Sequence, residues 1–326
     1  MPYLHPESKA KGKLLMWLVT GGAGFIGSHI VRRLVRDGQS VRVLDNLATG
    51  HLESLNAVRA QIDFLNGDIR DETTVREAMR GVQVVLHHAA QPSVPLSVND
   101  PGGTYAVNLG GTMNLLNAAR EVGVRRFVLA STSAIYGDDP TSPKTESLMP
   151  RPISPYASSK LAAEHLCAVY HRCYGLESVA LRYFNVFGPG QDPNSAYAAV
   201  IPRMIELLQR SERPVIYGDG GQTRDFIFVE DVVEANLRAA VASIEPGMIF
   251  NIASGRPTSL NDLLQVLAAQ FDVSPDADYQ PERVGDIRHS LANTAKATAE
   301  LGFTAQTTLA YGLAKTVVQE KVLGAA

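Results

Sequence analysis

Three glycines at intervals of three, Gly21, Gly24 and Gly27, follow the apolar run Leu14 to Thr20 and open a segment of helical period. A strand that ends in such a turn and feeds a helix lets the backbone bend tightly and approach an anion, whose charge the helix N-terminus stabilises. Thr20-Gly21-Gly22-Ala23-Gly24-Phe25-Ile26-Gly27 fits both G-x-x-G-x-x-G and, through Gly22, G-x-G-x-x-G. Either spacing points to a dinucleotide with its pyrophosphate on the turn. Asp45 ends the next apolar run, where a carboxylate accepts from the adenosine ribose hydroxyls and repels a 2′-phosphate, so NAD is expected rather than NADP. Asp68, in Gly67-Asp68-Ile69, stands where it can hold the adenine amino group or simply make a turn.

Short apolar runs at Leu14 to Thr20, Ser40 to Asp45, Ile62 to Asn66, Val82 to His87, Arg126 to Ala130 and Ser178 to Arg182 alternate with helical segments. This is the pattern of βαβ units and predicts an α/β fold, a doubly wound parallel sheet of Rossmann type over 13–185. Residues 1–12 read as a loose tail; Lys9, Lys11 and Lys13 before a short apolar run imitate a leader, but the run passes straight into the glycine turn. Beyond about residue 186 the texture becomes rich in Pro, Gly and Asn, which predicts a smaller, interleaved substrate lobe over 186–225 and 255–326. Phe226 to Val229 and Met248 to Ile252 read as strands, so 226–254 is expected to rejoin the main sheet.

A net charge of −3 lacks the basic excess that nucleic acid or an anionic bilayer selects. No stretch approaches the roughly 20 apolar residues of a spanning helix. The two cysteines, Cys167 and Cys173, fall in one predicted helix and make no disulfide framework, so a cytoplasmic location is expected. The eight histidines are scattered, and His87 and His88 point to opposite faces of a strand, which predicts no metal site.

Tyr156 and Lys160 open a helix after the Pro150 to Pro155 stretch and lie one turn apart on one face. An ammonium there, with an oxidised nicotinamide, favours the phenolate and makes Tyr156 a candidate general base. Ser131-Thr132-Ser133 falls at the end of the fifth strand, the edge where open α/β sheets place ligands, and Asn108 falls in a helix that can pack beneath it.

Together with Ser133-Ala134-Ile135-Tyr136-Gly137 and Arg182-Tyr183-Phe184-Asn185-Val186-Phe187-Gly188-Pro189, these motifs resemble the extended short-chain dehydrogenases that act on nucleotide sugars, in particular the UDP-glucose and UDP-N-acetylglucosamine 4-epimerases. The resemblance covers the chain beyond its tail. It implies that Tyr156 is the base, that Lys160 holds the nicotinamide ribose, and that Thr132 bonds the reacting sugar oxygen, with Ser131 and Ser133 as alternatives for that role. It also implies cofactor contacts at Phe25, Ile26, Asn46, Ile69, Ala89, Ala90, Asn108 and Tyr183. Substrate contacts are implied at Ser93, Asn185, Val200, Tyr217, Arg224, Arg283 and Asp286, the arginines suiting a diphosphate through their planar fork of donors. A homodimer, pairing through about Pro101 to Val122 and Tyr156 to Tyr174, is implied as well.

Related dehydratases carry an acidic pair after the threonine and decarboxylases a glutamate; here the positions are Ser133 and Ala134. Epimerisation at C4 is therefore the expected reaction, with a decarboxylase, a reductase, a UDP-glucuronate 4-epimerase or a non-catalytic NAD-binding regulator as alternatives. Ser290 matches a wall position that is small where an N-acetyl group is admitted, and Gln191 to Pro202 resembles the same branch. UDP-GlcNAc and UDP-GalNAc are the expected substrates, with UDP-glucose and UDP-galactose beside them.

Overall fold

The computed structural model describes residues 15–192, 200–282 and 288–323. The expected tail, Arg283 and Asp286 lie outside them. In chain order the elements are β1 (Met16–Thr20), α1 (Phe25–Arg36), β2 (Ser40–Asp45), β3 (Ile62–Asn66), α2 (Glu72–Met79), β4 (Val84–His87), α3 (Val94–Asn99), α4 (Pro101–Tyr105), α5 (Thr112–Val122), β5 (Arg126–Thr132), α6 (Pro155–Tyr174) and β6 (Ser178–Tyr183). There follow β7 (Asn185–Phe187), α7 (Val200–Gln209), β8 (Val215–Tyr217), β9 (Thr223–Phe228), α8 (Val229–Val241), β10 (Met248–Ile252), β11 (Pro257–Ser259), α9 (Leu260–Phe271), β12 (Asp278–Gln280), α10 (Ala295–Glu300) and α11 (Leu309–Leu323).

Contacts divide the described residues into two compact units, one holding those up to Ile135, Pro152–Arg182 and Val233–Phe250, the other Tyr136–Arg151 and the described residues between Tyr183 and Val232 and from Asn251 onward. The first unit is built on a seven-stranded sheet of order β10-β6-β5-β4-β1-β2-β3. Its β2–β3, β1–β2, β1–β4 and β4–β5 pairings are parallel, as the βαβ pattern predicts. The order reverses between β1 and β4, the switch point at which sheets of this Rossmann type bind their ligands. Leu18, Leu44, Val85, Phe127 and Leu129 bury one sheet face against Val75 and Met79 of α2 and Leu115 and Leu116 of α5. Strands covered on both faces read as unbroken apolar runs, which is why they were visible in the sequence.

Between α4 and α5 the backbone widens into a π-helical turn over Ala106–Gly111 and carries Asn108 inward, buried. The second unit has a three-stranded sheet of order β11-β9-β7 and a two-stranded one of β12 and β8. Two expectations are corrected here. Phe226 to Val229 does not rejoin the main sheet: β9 pairs parallel with β7, and Phe226 packs edge-on and Phe228 tilted against Phe187, so aromatic packing claims a strand that was expected in the main sheet. Tyr136–Arg151, inside the expected 13–185 segment, clusters instead with the second unit. Lys144 N–H donates to the Leu291 carbonyl at 2.8 Å and the Tyr136 hydroxyl to Asn251 Oδ1 at 2.6 Å, pairings that no hydrophobic period reveals.

Candidate active site

The turn after β1 is closed by its glycines. Gly21 has φ +66°, and a Cβ there would stand 2.6 Å from the Ala89 backbone nitrogen; a Cβ on Gly27 would run into the Gly21 carbonyl oxygen. Helix α1 then starts at Phe25 with no side-chain cap and no acidic residue in its first turn, leaving backbone N–H groups for an anion. Phe25 and Ile26, in that turn, are partly exposed. The Asp45 carboxylate accepts from Ala23 N–H at 2.9 Å and Leu47 N–H at 2.8 Å, which fixes it while lone pairs remain for a ribose diol. This cradle fits a dinucleotide. Asp68, the expected adenine contact, is held by Arg70 at 2.7 Å and by the Asn46 amide at 2.9 Å, and the Arg70 guanidinium keeps it well below the usual carboxylate range. Ile69 is buried beside them. Ala89 N–H donates to Thr20 Oγ1 at 3.2 Å, Ala90 is partly exposed, and Ser93 caps α3 by accepting from Leu96 N–H.

Strand β5 runs two residues past its expected end and presents Thr132 at the sheet edge, with Thr132 Oγ1 accepting from Ala134 N–H at 3.1 Å. Ser154 caps α6, Pro155 opens it, and Tyr156 and Lys160 follow on successive turns. The Thr132 side chain acts on the Tyr156 phenol and favours its ionised form. Burial pushes Tyr156 above its ordinary value because a phenolate loses hydration, and Thr132 opposes that shift. Lys160, buried, is itself pushed down to about 8 by desolvation, against the field of Glu164.

Asn108, expected at the cofactor, is held by internal bonds. Its Oδ1 accepts from Gln91 N–H at 2.8 Å, and Nδ2 donates to the Gln91 carbonyl at 3.1 Å and Ser159 Oγ at 3.0 Å, so both amide hydrogens are used inside the protein. His87 is equally internal, set between the Thr20 and Thr112 hydroxyls, and burial holds it neutral. Among the described residues no group of acidic, His and Cys side chains could hold a metal, and no helix is long and apolar enough to cross a membrane.

In the second unit, Asn185, Val200, Tyr217 and Arg224 line one cavity of about 710 Å3, together with Gln191, Arg203, Arg213, Phe226 and Leu260. Four expected substrate positions far apart in sequence thus line one cavity. Gln222 Nε2 fixes the Tyr217 carbonyl at 2.7 Å, and Arg224 Nη1 donates to the Thr223 carbonyl at 3.0 Å. Ser290 is tied to β9, its N–H donating to Thr223 at 3.1 Å.

A family model described as the NAD dependent epimerase/dehydratase family matches residues 17–253. The chain belongs to this family. It is 39% identical over 304 residues to the UDP-glucose 4-epimerase of Mycolicibacterium smegmatis, covering 92% of this chain and 96% of that one. It superposes at a TM-score of 0.91 and 37% identity on a UDP-N-acetylglucosamine 4-epimerase from Methanobrevibacter ruminantium bound to UDP-N-acetylmuramic acid, covering 95% of this chain and 99% of that one. The UDP-glucose 4-epimerase of Thermus thermophilus in complex with NAD gives 0.85 at 40% identity, with coverage of 94% and 99%. This member of the epimerase/dehydratase family also has a buried network that sequence reasoning missed, formed by Ser131, Glu164 and Arg182. The signal was an arginine inside the otherwise apolar β6, since a buried charge requires a partner. Tyr183, the next residue and an expected cofactor contact, is buried.

Proposed function

We propose that this chain is an NAD-dependent UDP-sugar 4-epimerase that interconverts UDP-GlcNAc with UDP-GalNAc and also UDP-glucose with UDP-galactose. The observation that carries the reading is Tyr156 with Lys160 one turn on at the head of α6, Thr132 at the end of β5, and no carboxylate at Ser133 or Ala134. The glycine turn and the first turn of α1 hold the pyrophosphate, Asp45 and Asn46 the adenosine ribose, Asp68 and Ile69 the adenine, and Ala89, Ala90, Lys160 and Tyr183 the nicotinamide half. When bound, NAD supplies a reversible acceptor of hydride at the sugar carbon.

The chain's own residues handle the proton and the grip. Tyr156 takes the proton of the C4 hydroxyl, while the Thr132 hydroxyl holds that oxygen in line. Asn185, Val200, Tyr217 and Arg224 hold the UDP moiety, and the family resemblance adds Arg283 and Asp286 to that role. The 4-keto sugar turns about its link to the diphosphate and receives the proton back from Tyr156 with the other face presented. A firm hold on the nucleotide and a loose one on the sugar serve that turn. Ser93 and Ser290 border the sugar, and the small Ser290 leaves room for an N-acetyl group.

The free cysteines support a cytoplasmic location, and exposed Val98, Val122, Val169 and Tyr174 on α3, α5 and α6 support a homodimer, which sedimentation equilibrium tests. The deciding experiment incubates the purified protein with UDP-GlcNAc, UDP-glucose and UDP-glucuronate and separates the products. Epimers of the first two are expected, and Tyr156→Phe lowers turnover about 10²- to 10⁴-fold. Release of carbon dioxide from the uronate, or full activity of Tyr156→Phe, overturns the reading.

A further inference from the structure

Three elements of the first unit meet at one carboxylate that the reaction above does not use. Glu164 lies one turn beyond Lys160 on α6, its side chain fully buried. Its Oε1 accepts from Ser131 Oγ at 2.5 Å and from Arg182 Nε at 3.0 Å, and its Oε2 accepts from Arg182 Nη2 at 2.8 Å. Ser131 is the residue before Thr132 on β5, and Arg182 belongs to β6, so the carboxylate joins the helix that carries Tyr156 and Lys160 to the strand end that carries Thr132. A buried ion pair is a poor device for stability alone, because an apolar pair of equal volume does as well or better.

We propose that Glu164 is a positioning residue for the Tyr156–Lys160 pair: through Ser131 it fixes the spacing between α6 and the Thr132 strand end, and its charge, anchored by Arg182, keeps Lys160 an ammonium. The inference rests on the epimerase reading for its catalytic consequence. The groups acting on Lys160 are Glu164 and Cys167 from its own helix, with His87 at the end of β4 and His88 just beyond it. Burial holds both histidines in the neutral form and pushes the Cys167 thiol up to about 12. Glu164 is therefore the one carboxylate within that set, and it is shared with the Arg182 guanidinium.

The test compares Glu164→Gln, the double variant E164Q/R182M, in which neither charge is left buried alone, and Ser131→Ala, which removes only the tether. In protein labelled with 13C-lysine, the Cε resonance of Lys160, assigned with Lys160→Met, gives its titration midpoint, and turnover is measured against pH. Removing Glu164 in either variant is expected to lower the Lys160 midpoint by about one unit or more. The alkaline limb of kcat moves down with it, and KM changes little. Ser131→Ala keeps the midpoint and lowers kcat. A folded double variant with the wild-type midpoint and pH limb overturns the proposal, as does failure of both charge variants to fold, which leaves the network a purely structural role. Absence of epimerase activity in the wild-type protein sinks the functional reading instead, while the Lys160 midpoint still tests the counter-charge.

Discussion

Asn108 Nδ2 donates to Ser159 Oγ at 3.0 Å, and Ser159 Oγ donates in turn to the Tyr156 carbonyl at 2.7 Å, so a π-helical turn holds the first turn of α6. Asn108→Ala leaves the Gln91 N–H and carbonyl without their partner in a buried place. A loss of about 1–3 kcal/mol is expected, read as a lower denaturation midpoint, together with reduced kcat. An unchanged midpoint shows that the clamp contributes nothing.

Gly27→Ala meets the Gly21 carbonyl oxygen, and the turn must open to admit the methyl group. The variant is expected to fold, yet to lose NAD on gel filtration, where the wild-type protein keeps it. Retention of cofactor in equal amount refutes the assignment of this turn.

Acid should weaken the fold through His87 and His88. Both are held below their ordinary value by burial, His88 to about 4, so the unfolded chain binds more protons than the folded one between about 6.5 and 4. Their contribution is fully present above about pH 6.5 and is lost as the pH falls through that window. Thermal midpoints measured across it decline, and His87→Gln gives a shallower slope than wild type. Identical slopes remove His87 from the account.

Ser290→Tyr should abolish turnover of the N-acetylated sugars and spare UDP-galactose, because bulk at that wall obstructs the acetyl group alone. Equal activity on both substrates in the variant rejects Ser290 as the gate.

Much of this architecture could be read in advance because its causes are local. The strand-turn-helix around Gly21 to Gly27 and the i, i+4 pair Tyr156 and Lys160 each follow from one stretch of chain. What stayed hidden depends on neighbours distant in sequence. The Glu164–Arg182 pair, the bridge of Lys144 to Ala292 and the saturation of the Asn108 amide are made by side chains and backbones with no shared period. The burial that raises Tyr156 was hidden for the same reason: adjacency to Lys160 is visible in the sequence, whereas burial is a property of the assembled sheet edge.

The chain passes from one unit to the other at Ile135–Tyr136, back at Arg151–Pro152, and again at Arg182–Tyr183, Val232–Val233 and Phe250–Asn251. No single cut therefore releases an intact nucleotide-binding half, and a gene fragment ending after β6 would lack the strand that completes its sheet. Such a protein can diversify by changing residues in place, but it is closed to inheritance by exchange of whole modules.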